Sequence, residues 1–350
     1  MDAIELLTDA VNKESSDIFI IVGSPVVFKI HGQLVPWGED KLGVDEAAKI
    51  VEQLYEIAKR NIGRATETGD DDFSVSIPRL SRFRINIYKQ RGSLAVVVRV
   101  IRFELPEPEA ISIPPAVMDL ADKKRGLVLV TGTAGSGKST TLACLVDRIN
   151  KTRSGHIVTL EDPLEYLHRH QKSIVSQREI SLDTESYVKA LRASLRQAPD
   201  VVLLGEMRDH ETISVAMTAA ETGHLVFSTL HTIGAANTID RIIDAFPPNQ
   251  QNQIRIQLSM VLQAVVSQQL IPTVDGGIVP AFEIMTVNNA VRNMIREAKI
   301  HQIDSVIHTS AADGMITMDA SILNLYKKGV ISDESAIAHS LNAEIMAKKM

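Results

Sequence analysis

The apolar and polar positions of this chain fall into two rhythms. Near the N-terminus Ile4, Leu7 and Val11 recur at helical spacing, so residues 2–12 are predicted to be helical. Residues 17–22 and 26–30 are predicted strands on either side of a Gly23-Ser24-Pro25 turn. A helix is expected at about 45–60. Strands are then expected at 82–89, where Phe83, Ile85 and Ile87 alternate with polar residues, and at 94–100. Helices and strands mixed in this order imply a small α+β domain. From residue 117 the rhythm changes. Short, continuously apolar strands at 127–130, 156–160, 201–204 and 225–229 are separated by helical patterns such as 186–196 and 210–222. That alternation implies a parallel sheet covered by helices on both faces. Residues 249–270 read as one long helical stretch, and the last 60 residues as mainly helical.

Between the two regions lie Pro106, Pro108, Pro114 and Pro115 among acidic and small residues, a composition that predicts an extended, semi-rigid linker. The expected organisation is a small domain at 1–103, a linker at 104–116 and a larger α/β domain at 117–350.

Composition acts mainly by exclusion. Of 350 residues, 45% are hydrophobic and 23% charged, the balance of a globular protein with real cores. The net charge of −6 supplies no global positive field for nucleic acid or an anionic membrane. No apolar run approaches the roughly 18–20 residues of a membrane span, and the first residues carry no signal-peptide pattern. Cys144 is the single cysteine, so an intrachain disulfide and a multi-cysteine zinc site are excluded and a reducing cytosol is expected. It reads as a small buried helix residue.

One segment carries unambiguous chemistry. The apolar strand at 127–130 runs into Gly132-x4-Gly137-Lys138-Ser139, and an apolar helical pattern through Leu142, Leu145, Val146 and Ile149 follows at once. This is the strand–loop–helix context of a P-loop. Gly132, Thr133, Ala134, Gly135, Ser136, Gly137, Lys138, Ser139 and Thr140 form the expected cradle, in which backbone N–H groups and a helix N-terminus face phosphate oxygens. Lys138 is expected at the β/γ-phosphates and the Ser139 hydroxyl on Mg²⁺, which makes ATP and Mg²⁺ the expected cofactors.

Four further segments bear on that cradle. Glu161-Asp162-Pro163-Leu164-Glu165 ends a predicted parallel strand, where ligands of open α/β sheets collect; a carboxylate there either orients an attacking water or is a solvated loop residue. The apolar strand 201–204 ends in Gly205-Glu206, the arrangement that holds Mg²⁺ directly or through water. His224 and His231 flank the strand 225–229, and by spacing alone a hydrogen-bonded structural role is the commoner reading. No cysteine or His-x-x-x-His partner favours zinc there. Arg82 and Arg84 share one face of the first domain's strand, either as solvated side chains or as a phosphate-sensing pair for a neighbouring subunit.

Taken in this order, these segments resemble the secretion-type motor ATPases, and within them the type IV pilus retraction ATPases (PilT-type, with the related PilU-type). The resemblance extends from the Ser16-Asp17-Ile18-Phe19 strand through the P-loop, the acidic box 161–165, Gly205-Glu206-Met207-Arg208-Asp209 and the histidine box 221–231. It also takes in Ala290-Val291-Arg292-Asn293-Met294-Ile295-Arg296-Glu297, similar to a segment linked to retraction. It implies a hexameric ring with PAS-like N-terminal and RecA-like C-terminal domains. In that ring Glu165 would be the catalytic carboxylate, Glu206 the Walker B acid, His224 and His231 a bracket on the γ-phosphate, and Arg82 and Arg84 residues acting in trans. The implied partners are an inner-membrane platform protein and a second retraction ATPase, and the implied location is the cytoplasmic face of that membrane at the pilus base. Thr133-Ala134 and Ala198 depart from the retraction motor's usual residues, and 195–200 and 268–272 look more like the accessory motor.

Three rival readings share the P-loop. A small-molecule kinase predicts a monomer or dimer with an acceptor pocket. A nucleic-acid translocase would want basic and aromatic residues interleaved, whereas this chain is acidic and 4% aromatic. A pilus-assembly or type II secretion motor typically carries a four-cysteine zinc site, which one cysteine cannot form.

Overall fold

The computed structural model describes residues 2–30, 32–101 and 105–350. The chain divides into two compact units, residues 1–104 and 105–350.

In the first unit the strands are β1 (Asp17–Ile20), β2 (Val26–Ile30), β3 (Gln33–Trp37), β4 (Asp70–Ile77), β5 (Ser81–Gln90) and β6 (Ser93–Ile101). They form an antiparallel sheet in the order β3-β2-β1-β6-β5-β4, accompanied by helices α1 (Ala3–Asn12), α2 (Val44–Ile57) and α3 (Gly63–Thr68). Alternation sets the faces: Phe83, Ile85 and Ile87 of β5 are buried, and Arg82 and Arg84 lie between them on the other face. Asp2 starts α1 by accepting the Ile4 and Glu5 N–H groups. Two strands of this unit lie outside the sequence expectations. β3 is an exposed edge interrupted by Pro36, and β4 opens on Asp70-Asp71-Asp72, which reads as a turn. Asp71 is nevertheless buried, where it accepts the Tyr55 hydroxyl at 3.0 Å and pairs with Arg60 at 3.3 Å. Burial, with Asp71 as hydrogen-bond partner, pushes the Tyr55 phenol up to about 12.

The second unit contains α4 (Pro115–Met118), β7 (Gly126–Thr131), α5 (Lys138–Thr152), β8 (His156–Glu161), β9 (Ile174–Glu179) and α6 (Tyr187–Ser194). There follow β10 (Val201–Leu204), α7 (His210–Glu221), β11 (Leu225–Leu230), α8 (Ala235–Asp244), α9 (Pro248–Val261), β12 (Leu262–Pro272) and β13 (Ile278–Thr286). The tail consists of α10 (Asn289–Arg296), α11 (Ile303–Thr309), α12 (Met318–Lys327), α13 (Asp333–His339) and α14 (Ala343–Lys349). Among the described residues the sheet runs β13-β12-β7-β11-β10-β8-β9, parallel from β12 to β9, with β13 antiparallel on its edge. Apolar side chains cover both of its faces. The carboxyl ends of β7, β8, β10 and β11 therefore lie side by side, which is where such sheets hold ligands.

Two expectations need correcting. Residues 249–270 are not one helix: α9 stops at Val261 and β12 begins at Leu262. Val265 and Val266 pair with Leu129 and Val130 of β7, so burial within the sheet overrides the apparent periodicity. The proline-rich stretch is not extended either. Ala110, Ser112 and Ile113 donate to the carbonyls of Glu107, Glu109 and Pro108, which makes a compact turn belonging to the second unit, with Ile113 buried in its core.

Candidate functional site

The loop between β7 and α5 is held by its glycines and by one side chain of β12. Gly132 has φ of 140°, and a Cβ there would stand 2.2 Å from the Gln268 carbonyl oxygen. A Cβ at Gly137, φ 87°, would stand 2.8 Å from Gln268 Nε2. Gln268 is buried, and its Oε1 accepts the Thr141 hydroxyl at 2.8 Å. Sequence reasoning gave this residue no role at the loop, because nothing local in Ser267-Gln268-Gln269 points to Gly132 or Thr141. Lys138, only 8% exposed, donates from Nζ to the carbonyls of Gly132 at 2.9 Å and Thr133 at 2.7 Å. Burial lowers its pKa, and Glu206 opposes that shift. The Ser136 hydroxyl is buried in this loop with no protein partner, as a cradle for an outside anion requires.

A cavity of about 320 Å³ opens beside the loop. Ala134, Gly135, Lys138 and Ser139 form one wall, Glu161, Asp162 and Glu165 a second, and Glu206, Arg208 and His231 a third. Glu206, at the end of β10, pairs with Arg208 at 2.5 Å and has its other oxygen 3.4 Å from His231 Nε2. The Thr229 hydroxyl donates to the Gly205 carbonyl at 2.6 Å and so fixes the backbone just before that acid. A Cβ on Gly205 would meet the Tyr187 hydroxyl at 2.8 Å, so close approach demands glycine here. Glu165 is exposed toward the cavity. Burial, with Glu165 nearby, pushes the Glu161 carboxyl up to about 7. The Thr140 and Tyr166 hydroxyls, 2.9 Å apart, tie α5 to the acidic box.

On the other side of the loop lies a separate cavity of about 230 Å³. Ile111, Ile113, Leu270, Ile278 and Pro280 give it apolar walls, and Gly137 and Thr140 close its inner end. The two cavities meet the same loop from opposite sides, one polar and one apolar.

Not every residue singled out by sequence arrives here. His231 does; His224 does not. His224 precedes β11 and His231 follows it, so the strand separates them by about 20 Å, at 3.3 Å per residue. His224 Nδ1 lies 2.9 Å from the Ala219 carbonyl oxygen and 3.3 Å from the Thr222 hydroxyl, closing the end of α7. Within one chain, therefore, the two histidines do not bracket one site: His231 alone lines the cavity. Arg82 and Arg84 lie on β5 of the first unit, where Arg82 Nη1 donates to Ser76 Oγ at 3.1 Å and Arg84 pairs with Asp72 at 2.6 Å. Arg208, Glu161, Tyr166 and Tyr187 line the cavity although sequence reasoning gave them no role.

Among the described residues no group of three His, Cys, Asp or Glu side chains is arranged to hold a metal. Ser139 and Glu206 both face the cavity, and one hydroxyl with one carboxylate suits a Mg²⁺ ion carried mainly by nucleotide phosphates and water.

The family of type II/IV secretion system proteins matches residues 2–280. The chain is 43% identical to a twitching motility protein of Neisseria gonorrhoeae over 343 residues, 98% of this chain and 91% of that protein. It is also 43% identical to the type IV pilus retractation ATPase PilT of Pseudomonas aeruginosa, over 96% of this chain and 97% of that one. The crystal structure of the pilus retraction motor PilT with bound ADP superposes with a TM-score of 0.91 at 42% identity, covering 99% of both chains. The larger unit is thus a RecA-like nucleotide-binding domain, and the protein is an ATPase. The chain belongs to the type II/IV secretion system protein family, as a PilT-type ATPase.

Proposed function

We propose that the chain hydrolyses ATP to drive the retraction of type IV pili. The observation that carries this reading is the single cavity in which the phosphate loop, the acidic box, Glu206 and His231 meet at the carboxyl ends of four neighbouring strands. The triphosphate lies along Gly132–Thr140 with Lys138 between β- and γ-phosphates, and the base lies in the apolar cavity against Ile111, Ile113 and Ile278. Ser139, and Glu206 directly or through water, would hold Mg²⁺, which would supply positive charge to the phosphate oxygens. Glu165 orients the attacking water and accepts its proton. His231 contacts the γ-phosphate, and Arg208 holds the Glu206 carboxylate in place. Arg82 and Arg84 act on the nucleotide of a neighbouring subunit in a homohexameric ring.

The boundary between the two units, at 104–105, serves in this reading as the hinge about which they move when the γ-phosphate is lost. The ring works from the cytoplasm, at the inner face of the membrane, against a platform protein of the pilus machine. In support, no helix among the described residues is long and apolar enough to cross a membrane. Deletion of the gene, complemented by wild type or by Lys138→Ala, tests the role. Loss of twitching with excess surface pili, restored by wild type alone, is the expected outcome. Unaltered retraction while a second motor remains would move the chain to an accessory role, and unaltered piliation and motility with no second motor would end the proposal.

A further inference from the structure

Strand β13 carries a buried carboxylate that the phosphate chemistry does not use. Glu283 is 3% exposed and faces Ser267 across the β12–β13 pairing. Its Oε1 accepts the Ala235 N–H at 2.7 Å, and its Oε2 accepts the Met318 N–H at 3.3 Å. Ala235 and Met318 are the first residues of α8 and α12, so one side chain satisfies an otherwise orphaned amide on each of two helices. Ser267 Oγ accepts the Gly234 N–H at 3.0 Å, one residue before α8. Burial raises the Glu283 carboxyl, and the amides of Ala235 and Met318 oppose that shift.

What these contacts hold is the far end of a four-residue loop whose first residue is His231. Within the loop, the Thr232 and Thr238 hydroxyls lie 2.7 Å apart and Asn237 Nδ2 donates to the Ile233 carbonyl at 2.9 Å. Those bonds tie the loop to α8, so loop and helix start move as one body. Ser267 and Glu283 fix the leading end of that body to the sheet. The His231 side chain is itself 56% exposed, so its position depends on the backbone beneath it more than on packing around its ring.

We propose that Glu283, with Ser267 as its partner, is the positioning residue that sets His231 against the γ-phosphate and ties that loop to the first turn of α12. The inference rests on the placement of His231 at the γ-phosphate. A glutamine at 283 keeps the volume but offers one acceptor in place of two, leaving an amide of α8 or α12 facing an NH₂ group. The loop then loses its anchor, whereas none of the bonds Glu283 makes reaches the P-loop, which follows β7 across β12.

The test is a double-mutant cycle on the full chain, read as ATP turnover and as the affinity ratio between a non-hydrolysable ATP analogue and ADP. H231A should lower kcat and the analogue preference by about tenfold, the size of a lost bond to a charged group. E283Q should lower both by at least about fivefold with ADP affinity within about twofold, since ADP lacks the γ-phosphate. The E283Q/H231A double variant should match H231A alone, because a displaced and a deleted histidine are equivalent. S267A, which removes only the hydroxyl beneath Gly234, should act in the same direction and by less, and its own double with H231A decides the matter if E283Q fails to fold. Full analogue preference in E283Q and S267A, or losses that multiply in the doubles, overturns the inference while His231 keeps its place. Full preference in H231A overturns the γ-phosphate placement itself, and this inference with it.

Discussion

The two ends of strand β11 carry the same residue type and behave differently. At the carboxyl end His231 opens onto the polar cavity, 3.4 Å from Glu206, with the P-loop across from it. At the amino end His224 turns back onto Ala219 and Thr222 and completes a helix terminus. The difference follows from sheet topology. In a parallel sheet every strand delivers its following loop to one edge, so residues gathered after β7, β8, β10 and β11 share a site while residues before them share only structure. The lesson is directional: which end of a strand a histidine stands at decides whether it faces the cavity.

Mutations can break or sharpen that contrast. The largest effect is expected at Lys138, whose Nζ already rests on the loop carbonyls where phosphate oxygens would sit. Lys138→Ala should lower ATP turnover by about 10²–10³-fold in a steady-state phosphate-release assay, the cost of removing a preorganised donor from developing charge. Glu165→Gln should follow with a loss of at least about 10²-fold in kcat and little change in nucleotide affinity, since a water-orienting carboxylate acts in the transition state. Gly132→Ala tests the scaffold at the same end. With φ of 140° and a carbonyl oxygen 2.2 Å from the new methyl, it should destabilise the second unit by about 2–4 kcal/mol, read as a fall in thermal midpoint. Gly135→Ala, with open space around its Cβ, should cost about 1 kcal/mol, from its positive φ alone.

A smaller effect concerns pH. Burial holds the Glu161 carboxyl up to about 7, against an ordinary 4.5, so in the nucleotide-free protein the folded state binds this proton more tightly than the unfolded chain does. The stability this proton provides is complete below about 4.5 and is lost as pH rises through about 7. The thermal midpoint should therefore decline over that window relative to Glu161→Gln, whose profile lacks this component. A wild-type profile parallel to that of the glutamine variant would contradict the assignment.

Much of this layout is legible in the sequence. The P-loop announced itself because glycine spacing, a flanking apolar strand and a following helix each impose an independent requirement. The strands at 127–130 and 201–204 were legible because burial on both faces leaves only apolar residues, as at Val202 and Leu204. β12 reads as helix because Ile254, Leu258 and Val261 run straight into Leu262, and only pairing with β7 separates the two. Gln268, Glu283 and Ser267 were invisible for another reason. Each acts on residues far away in sequence, Gln268 on Gly132 and Thr141, and Glu283 on Ala235 and Met318, contacts that no local pattern encodes. The two histidines were equivalent by spacing alone, and strand direction separated them.

The most direct measurement compares His231→Ala and His224→Ala side by side, as steady-state ATP turnover by otherwise identical full-length protein. The account predicts a loss of about tenfold or more for His231→Ala, and for His224→Ala turnover within about twofold of wild type. Equal losses at both ends of β11, or a loss confined to His224→Ala, would contradict it.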